Sequence, residues 1–222
     1  MTGVIYYLGI KCLFVTDGEG GENPMGANGQ DKCRPSGQTE TKVWGRSAFF
    51  EFRNGGRKMK KVGIIMGSDS DLPIVEKAIL KLQEFSVPYE VHVYSAHRTP
   101  NESKEFAQNA RENGFGAIIA AAGKAAHLAG AIAANTTLPV IGIPIKSSTL
   151  DGLDALLSTV QMPSGMPVAT VAIDGAENAA LLAMQIIAVE DKDLADKLND
   201  LRASGTKKVL EKNKEIEAKY NK

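Results

Sequence analysis

From Lys60 onward, apolar residues follow two alternating patterns along the chain. Val62 to Met66, Tyr89 to Tyr94, Ala117 to Ala122, Pro139 to Ile143 and Val168 to Ile173 are short and rich in apolar or β-forming residues. Val62 to Met66, a solid run ending at Gly67, has the form of a strand buried on both faces of a sheet. Between these runs, apolar residues recur every three or four positions. Ile74, Ala78, Leu82 and Phe85 mark a helix opened by Asp71 and Pro73. Further helices are expected over Pro100 to Asn113, with Gly114 as the C-cap glycine, and over an alanine-rich stretch to about Ala134. Two more run from about Leu153 to Val160 and from Glu177 to about Val189.

Five strands alternating with five helices predict an α/β fold of three αβα layers. The sheet is flavodoxin-like, doubly wound, parallel and five-stranded, in the order 2-1-3-4-5. Beyond Glu190 the pattern becomes a charged C-terminal helical tail, with Leu194, Leu198 and Leu201 on one face. That stripe needs a surface to cover it, and a neighbouring subunit is the expected one. Residues 1–58 differ in kind. They hold half of the 22 glycines, and no period is sustained, although a short strand around Ser47 to Phe52 is possible. The expected organisation is a disordered or non-native leader over 1–58, an α/β domain over 59–190 and the tail over 191–222.

Composition changes little in this picture. The 222 residues carry 26 basic and 26 acidic side chains, so no overall field points to nucleic acid or an anionic membrane. The most apolar long window, Ala117 to Ala134, contains Lys124 and His127 and is too weak for a membrane span. Cys12 and Cys33 are the only cysteines and form no disulfide framework, which suits a reducing, cytoplasmic setting. Val4 to Ile10 has no basic region before it and no small-residue cleavage site after it, so a secretory signal is not indicated.

In such a sheet the ligand crevice lies outside the carboxyl ends of the strands. The loops after the first three strands then become neighbours: Gly67-Ser68-Asp69-Ser70-Asp71, Ser95-Ala96-His97-Arg98-Thr99-Pro100 and Gly123-Lys124-Ala125-Ala126-His127. The first offers Ser68, Ser70 and free N–H groups at a helix start, either as an anion site or as a plain turn capped by Asp71. Asp71 could instead accept hydrogen bonds from a sugar hydroxyl. Neither a Walker lysine pattern nor a G-x-G-x-x-G occurs, so no nucleoside triphosphate or dinucleotide is indicated.

The second loop joins a guanidinium suited to phosphate, Arg98, to an imidazole, His97, of a kind that titrates at about 6.5 in model peptides. Thr99 and Glu102 read as a capping box, with Pro100 at the first helical position. The bland alternative is an incidental surface pair, but the facing hydroxyls favour a proton-transfer and anion site. His92 lies mid-strand and reads as structural. In the third loop Lys124 could attract a carboxylate, and His127 could orient a group or simply cap the next helix. The histidines are few and no carboxylate or cysteine stands at ligand spacing, so neither a metal nor a cofactor is expected.

Four segments together resemble one family. Gly67-Ser68-Asp69-Ser70-Asp71, Ser95-Ala96-His97-Arg98-Thr99-Pro100, Ala125-Ala126-His127-Leu128 and Val160-Gln161-Met162-Pro163-Ser164-Gly165-Met166-Pro167 have the order and spacing of the class I 5-(carboxyamino)imidazole ribonucleotide mutases. The resemblance runs from about Lys60 to the C-terminus. It implies an isomerase of purine biosynthesis that moves a carboxyl group from the exocyclic nitrogen of a small ribonucleotide to the adjacent ring carbon. The reaction passes through released and recaptured carbon dioxide, without metal, ATP or biotin.

The resemblance further implies that Ser68 and Arg98 hold the 5′-phosphate, helped by Ser70 and Ser95, and that Asp71 holds the ribose hydroxyls. His97 would be the catalytic acid-base. Gly123, Lys124 and His127 would line the carbon dioxide trap. A homo-octamer is implied as well, its C-terminal helices reaching over neighbours. The family pattern has glycine where Ala121, Lys124 and Ala169 stand and proline at Ala129. Lys124 matters most, since it either points outward or pairs with the substrate carboxylate. Two rivals stand beside this reading. One is a direct carboxylase using carbon dioxide, whose class carries lysine where Arg98 stands. The other is a non-catalytic flavin-binding or receiver module on the same fold, although a receiver's aspartate is missing from Ala121-Ala122-Gly123.

Overall fold

The structure, a computed structural model, describes residues 4–7, 10–13, 53–54, 57–125, 127–148 and 150–221. Val4–Tyr7 pairs antiparallel with Ile10–Leu13, within a unit separate from the α/β body. Arg53–Asn54 pairs likewise with Arg57–Lys58. The expected strand at 47–52 lies outside the described residues, as does the expected leader apart from 4–7, 10–13, 53–54 and 57–58.

The body alternates as foreseen. Its elements are β1 (Lys61–Met66), α1 (Leu72–Glu84), β2 (Tyr89–Val93), α2 (Pro100–Asn109), β3 (Phe115–Gly123) and α3 (Leu128–Ala133). There follow β4 (Val140–Ile145), α4 (Leu153–Val160), β5 (Ala169–Thr170), α5 (Ala176–Ala188) and α6 (Lys192–Tyr220). The sheet order is β2-β1-β3-β4-β5, with every pairing parallel. That is the doubly wound order expected from the strand–helix alternation.

The solid apolar runs resolve into two faces because strand side chains alternate. Val62, Ile64 and Met66 of β1 join Ile119, Ile141 and Ile143 on one face, packed against Val75 and Leu82 of α1 and Ala183 and Met184 of α5. Ile65, Ile118 and Val140 face the other way, with Ala107 of α2 and Leu128 and Ile132 of α3. Gly63 sits where a β-carbon would come within 2.8 Å of the Phe106 ring, so its lack of a side chain seats α2.

Several boundaries moved. β3 extends beyond Ala117 to Ala122 at both ends, and α2 stops at Asn109, four residues early. Gly114 still makes the left-handed turn, at φ 83°. β5 keeps only two ladder residues of the expected Val168 to Ile173, being an edge strand with a single partner. The largest correction concerns the leucine stripe. Leu194 and Leu198 are buried in their own chain's core, with Leu201 packed against it. The open apolar residues of α6 are farther along, at Val209, Leu210, Ile216 and Tyr220. No helix among the described residues is long and apolar enough to cross a membrane.

A docked stripe makes a measurable claim. Leu194 is 1 % exposed, so Leu194→Ala is expected to lower unfolding stability by about 3 kcal/mol in chemical denaturation. A loss under about 0.5 kcal/mol would match a solvated position instead.

Candidate active site

The parallel sheet sends its strand ends to one edge, and the loops there enclose a cleft of about 580 Å³. From the loop after β1 come Gly67, Ser68, Ser70 and Asp71. Gly67 donates its N–H to the Ala121 carbonyl at 3.0 Å, tying the loop to β3. A single 3₁₀ turn, Asp69–Asp71, then leads into α1. Ser68 caps that turn, its hydroxyl oxygen accepting from the Ser70 N–H at 3.3 Å and from the Ser70 hydroxyl at 2.9 Å. Asp71 makes no side-chain cap, so its reading as a plain helix cap fails.

Asp71 is instead the buried carboxylate of the site, 7 % exposed and the sole buried acidic residue among those described. Burial raises its carboxyl above the usual carboxylate range, and the nearby Asp69 charge pushes the same way. Hydrogen bonds from Ser68 and Ser70 and the charge of Arg98 oppose that rise without cancelling it.

The loop after β2 supplies Ser95, Ala96, His97 and Arg98. Thr99 closes it. The Ser95 N–H donates to the Thr99 hydroxyl oxygen at 2.8 Å, and that hydroxyl donates to the Ser95 carbonyl at 3.2 Å. The side chain is thereby turned back into the loop, and Thr99 makes no cap bond to α2. The expected capping box is replaced by a five-residue clasp. Arg98 donates from Nη2 to the Gly67 carbonyl at 2.7 Å, joining the second loop to the first. His97 is exposed in the cleft wall. A group that exchanges protons with a ligand needs that access.

The loop after β3 brings Ala122, Gly123 and Lys124. Lys124 is at φ 57°, the left-handed region. For a residue with a β-carbon this costs about 1–2 kcal/mol. Glycine accepts it freely, which matches the glycine expected there.

His127 does not reach the cleft. Its Nδ1 lies 2.6 Å from the Ser158 carbonyl of α4, and its ring lies over Gly130, where a β-carbon would collide with it. It makes no side-chain cap to α3 either. A glycine one turn along the helix leaves the ring room to fold back, which is why neither sequence reading holds.

Eight of the nine expected site residues therefore share one cleft. The loop after β4 contributes two more, Lys146 and Ser147, which sequence reasoning missed. Their signal was present: the order 2-1-3-4 sets the fourth loop beside the third, and it reads Lys146-Ser147-Ser148. Lys146 is tied down, its N–H donating to Asp174 Oδ1 at 2.9 Å and its Nζ lying 3.2 Å from Asp151 Oδ1. Leu128 and Ile145 form an apolar floor beneath these polar groups.

Residues 61–208 match a family model described as AIR carboxylase. The N5-carboxyaminoimidazole ribonucleotide mutase of Pyrococcus horikoshii is 58% identical over 156 residues, 70% of this chain and 88% of that protein. The mutase of the same name from Thermotoga maritima is 52% identical over 159 residues, 72% of this chain and 93% of that one. The phosphoribosylaminoimidazole carboxylase of Saccharomyces cerevisiae is 51% identical over 156 residues, which make up 27% of its length. Among solved structures, Treponema denticola PurE superposes with a TM-score of 0.63 at 29% identity, covering 73% of this chain and 99% of that one.

The raised carboxyl of Asp71 sets a pH test. A carboxyl raised on folding stabilises the fold only while protonated, so that contribution is lost as pH rises through its folded value. Asp71→Asn is therefore expected to melt higher than the unsubstituted protein at neutral pH. The difference should shrink as pH falls toward about 4. Melting curves across that range decide it, and a difference independent of pH would reject the buried-charge account.

Proposed function

The chain belongs to the AIR carboxylase family, and on that premise we propose that His97 and Arg98 divide the labour of its reaction. That reaction is a mutase step of purine biosynthesis. It moves the carboxyl group of N5-carboxyaminoimidazole ribonucleotide from the exocyclic nitrogen to the adjacent ring carbon. The observation that carries the proposal is one cleft holding a hydroxyl-rich helix start, a guanidinium and an accessible imidazole.

In this reading the phosphate sits on the Ser68 and Ser70 hydroxyls with Arg98, and Ser95 supports the loop that presents it. Asp71 accepts from the ribose hydroxyls; a buried carboxylate whose charge is incompletely compensated is well suited to them. His97 starts protonated. The bond from nitrogen to the carboxyl carbon breaks, its electron pair stays on nitrogen, and His97 delivers the proton there. Carbon dioxide is released with the aminoimidazole nucleotide still bound. The ring carbon then attacks it, forming the new carbon–carbon bond. Neutral His97 takes the proton from that ring carbon, restoring the aromatic ring and its own starting charge. Carbon dioxide is small and apolar, and the Ala122, Leu128 and Ile145 floor gives it a place to wait out of water.

A second reading, direct carboxylation of the aminoimidazole nucleotide, draws support from the fungal relative named as a carboxylase. Purified protein is offered either the carbamate nucleotide or aminoimidazole ribonucleotide with bicarbonate. Efficient turnover of the carbamate is the expected result, and turnover of the second mixture alone would sink the mutase reading. In the same assay His97→Asn is expected to lose at least about 10³-fold in turnover while nucleotide binding persists. Full activity would remove His97 from its role.

We also read the protein as a cytoplasmic homo-octamer in which the far half of α6 reaches over a neighbour. The face that buries Leu194 and Leu198 continues through exposed Val209, Ile216 and Tyr220. An apolar stripe that continues past the body in this way needs a covering surface. Light scattering is expected to give the octamer mass for the full chain and for a variant lacking residues 1–58, with activity kept. A monomer, or an inactive truncation, would overturn this assembly and its dispensable leader.

A further inference from the structure

Three cations stand around the cleft, and they are not equivalent. Arg98 is engaged by the Gly67 carbonyl and Lys146 by Asp151. Lys124 has no hydrogen bond or ion pair with any described residue. It also holds a left-handed backbone, φ 57°, directly after the last residue of β3. A long charged side chain in a conformation that favours glycine is a local conflict, and such conflicts gather where a site uses the residue. The ligand assigned to this cleft carries two separate anionic groups. The phosphate takes the loop after β1 and Arg98. The migrating carboxylate is left facing the loops after β3 and β4.

We propose that Lys124 is a substrate-positioning residue, its ammonium pairing with the migrating carboxylate at both ends of the reaction. The inference rests on the mutase reading above. In the carbamate, the pair holds the carboxylate group beside His97. While carbon dioxide is free it has no charge to offer, and Lys124 returns to solvent. Once the carbon–carbon bond forms, the new carboxylate meets the same cation. Lys124 exchanges no proton and forms no bond, so its action is on binding and on retention of the released carbon dioxide.

The test compares two nucleotides that differ only in the carboxylate: the ring-carboxylated product and aminoimidazole ribonucleotide. Binding of each is measured by calorimetry to the full chain and to Lys124→Gly, Lys124→Met and Lys124→Arg. Glycine and methionine are expected to weaken the carboxylated nucleotide about tenfold while leaving aminoimidazole ribonucleotide within about twofold. Arginine should keep most of the affinity. In turnover, the glycine and methionine variants should raise KM for the carbamate and release more aminoimidazole ribonucleotide per cycle. Lys124→Gly should fold at least as stably as the unsubstituted chain, since it relieves the left-handed strain. Equal weakening of both nucleotides, or of neither, overturns the pairing. Failure of the unsubstituted chain to turn over the carbamate would instead count against the mutase reading itself.

Discussion

A parallel sheet covered on both faces leaves its chain very little freedom about where to act. β1 and β3 are buried almost throughout, so neither face has room for a ligand or a polar group without a partner. Chemistry is confined to the edge where the carboxyl ends of the strands emerge. Because β1 and β3 lie side by side, the loops that follow them meet there whatever their own sequences. The hydrogen bond from Gly67 to the Ala121 carbonyl and the one from Arg98 to the Gly67 carbonyl turn that adjacency into a single wall. The site's geometry is therefore a consequence of strand order first and of side chains second.

That ordering explains what could be read in advance. Runs such as Val62 to Met66 carry the strand signal whatever they touch, and their alternation with helical periods implies the sheet order. The eight cleft residues followed from loop position. What resisted reading were choices made by contact. Thr99 has the sequence of a capping box, yet its hydroxyl is satisfied within its own loop by Ser95. His127 was placed by its neighbours, and nothing local announces that Gly130 and the Ser158 carbonyl would capture it. Leu194 and Leu198 plainly required a covering surface, but periodicity does not say whose. β5 was overestimated because an apolar run does not reveal that it has one partner only.

Two residues in the cleft stand where stability alone would favour something else. Asp71 buries a carboxylate whose charge the surroundings compensate incompletely. Lys124 forces a β-carbon into a left-handed turn. Neither is explained by stability, since a neutral amide at one position and glycine at the other would each suit the fold better. The conflicts are also of opposite sign: one is a buried acid whose charge is incompletely compensated, the other a cation with no anion among the described residues. On the proposed reading, a ligand bearing hydroxyls and a carboxylate answers both at once.

That complementarity bears on specificity as much as on affinity. A cleft built only from hydroxyls, helix N–H groups and Arg98 would hold any phosphorylated sugar. On the proposed reading, a ligand without ribose hydroxyls leaves the buried Asp71 charge incompletely compensated, which is penalised more heavily than a merely absent contact. Lys124 works the other way: it is exposed, so an empty pairing costs little, and it gains only from a ligand with a second anion. On that reading the buried acid rejects and the exposed cation selects. A glycine at 124 would keep the rejection and lose the selection, and this chain keeps the lysine despite its strain.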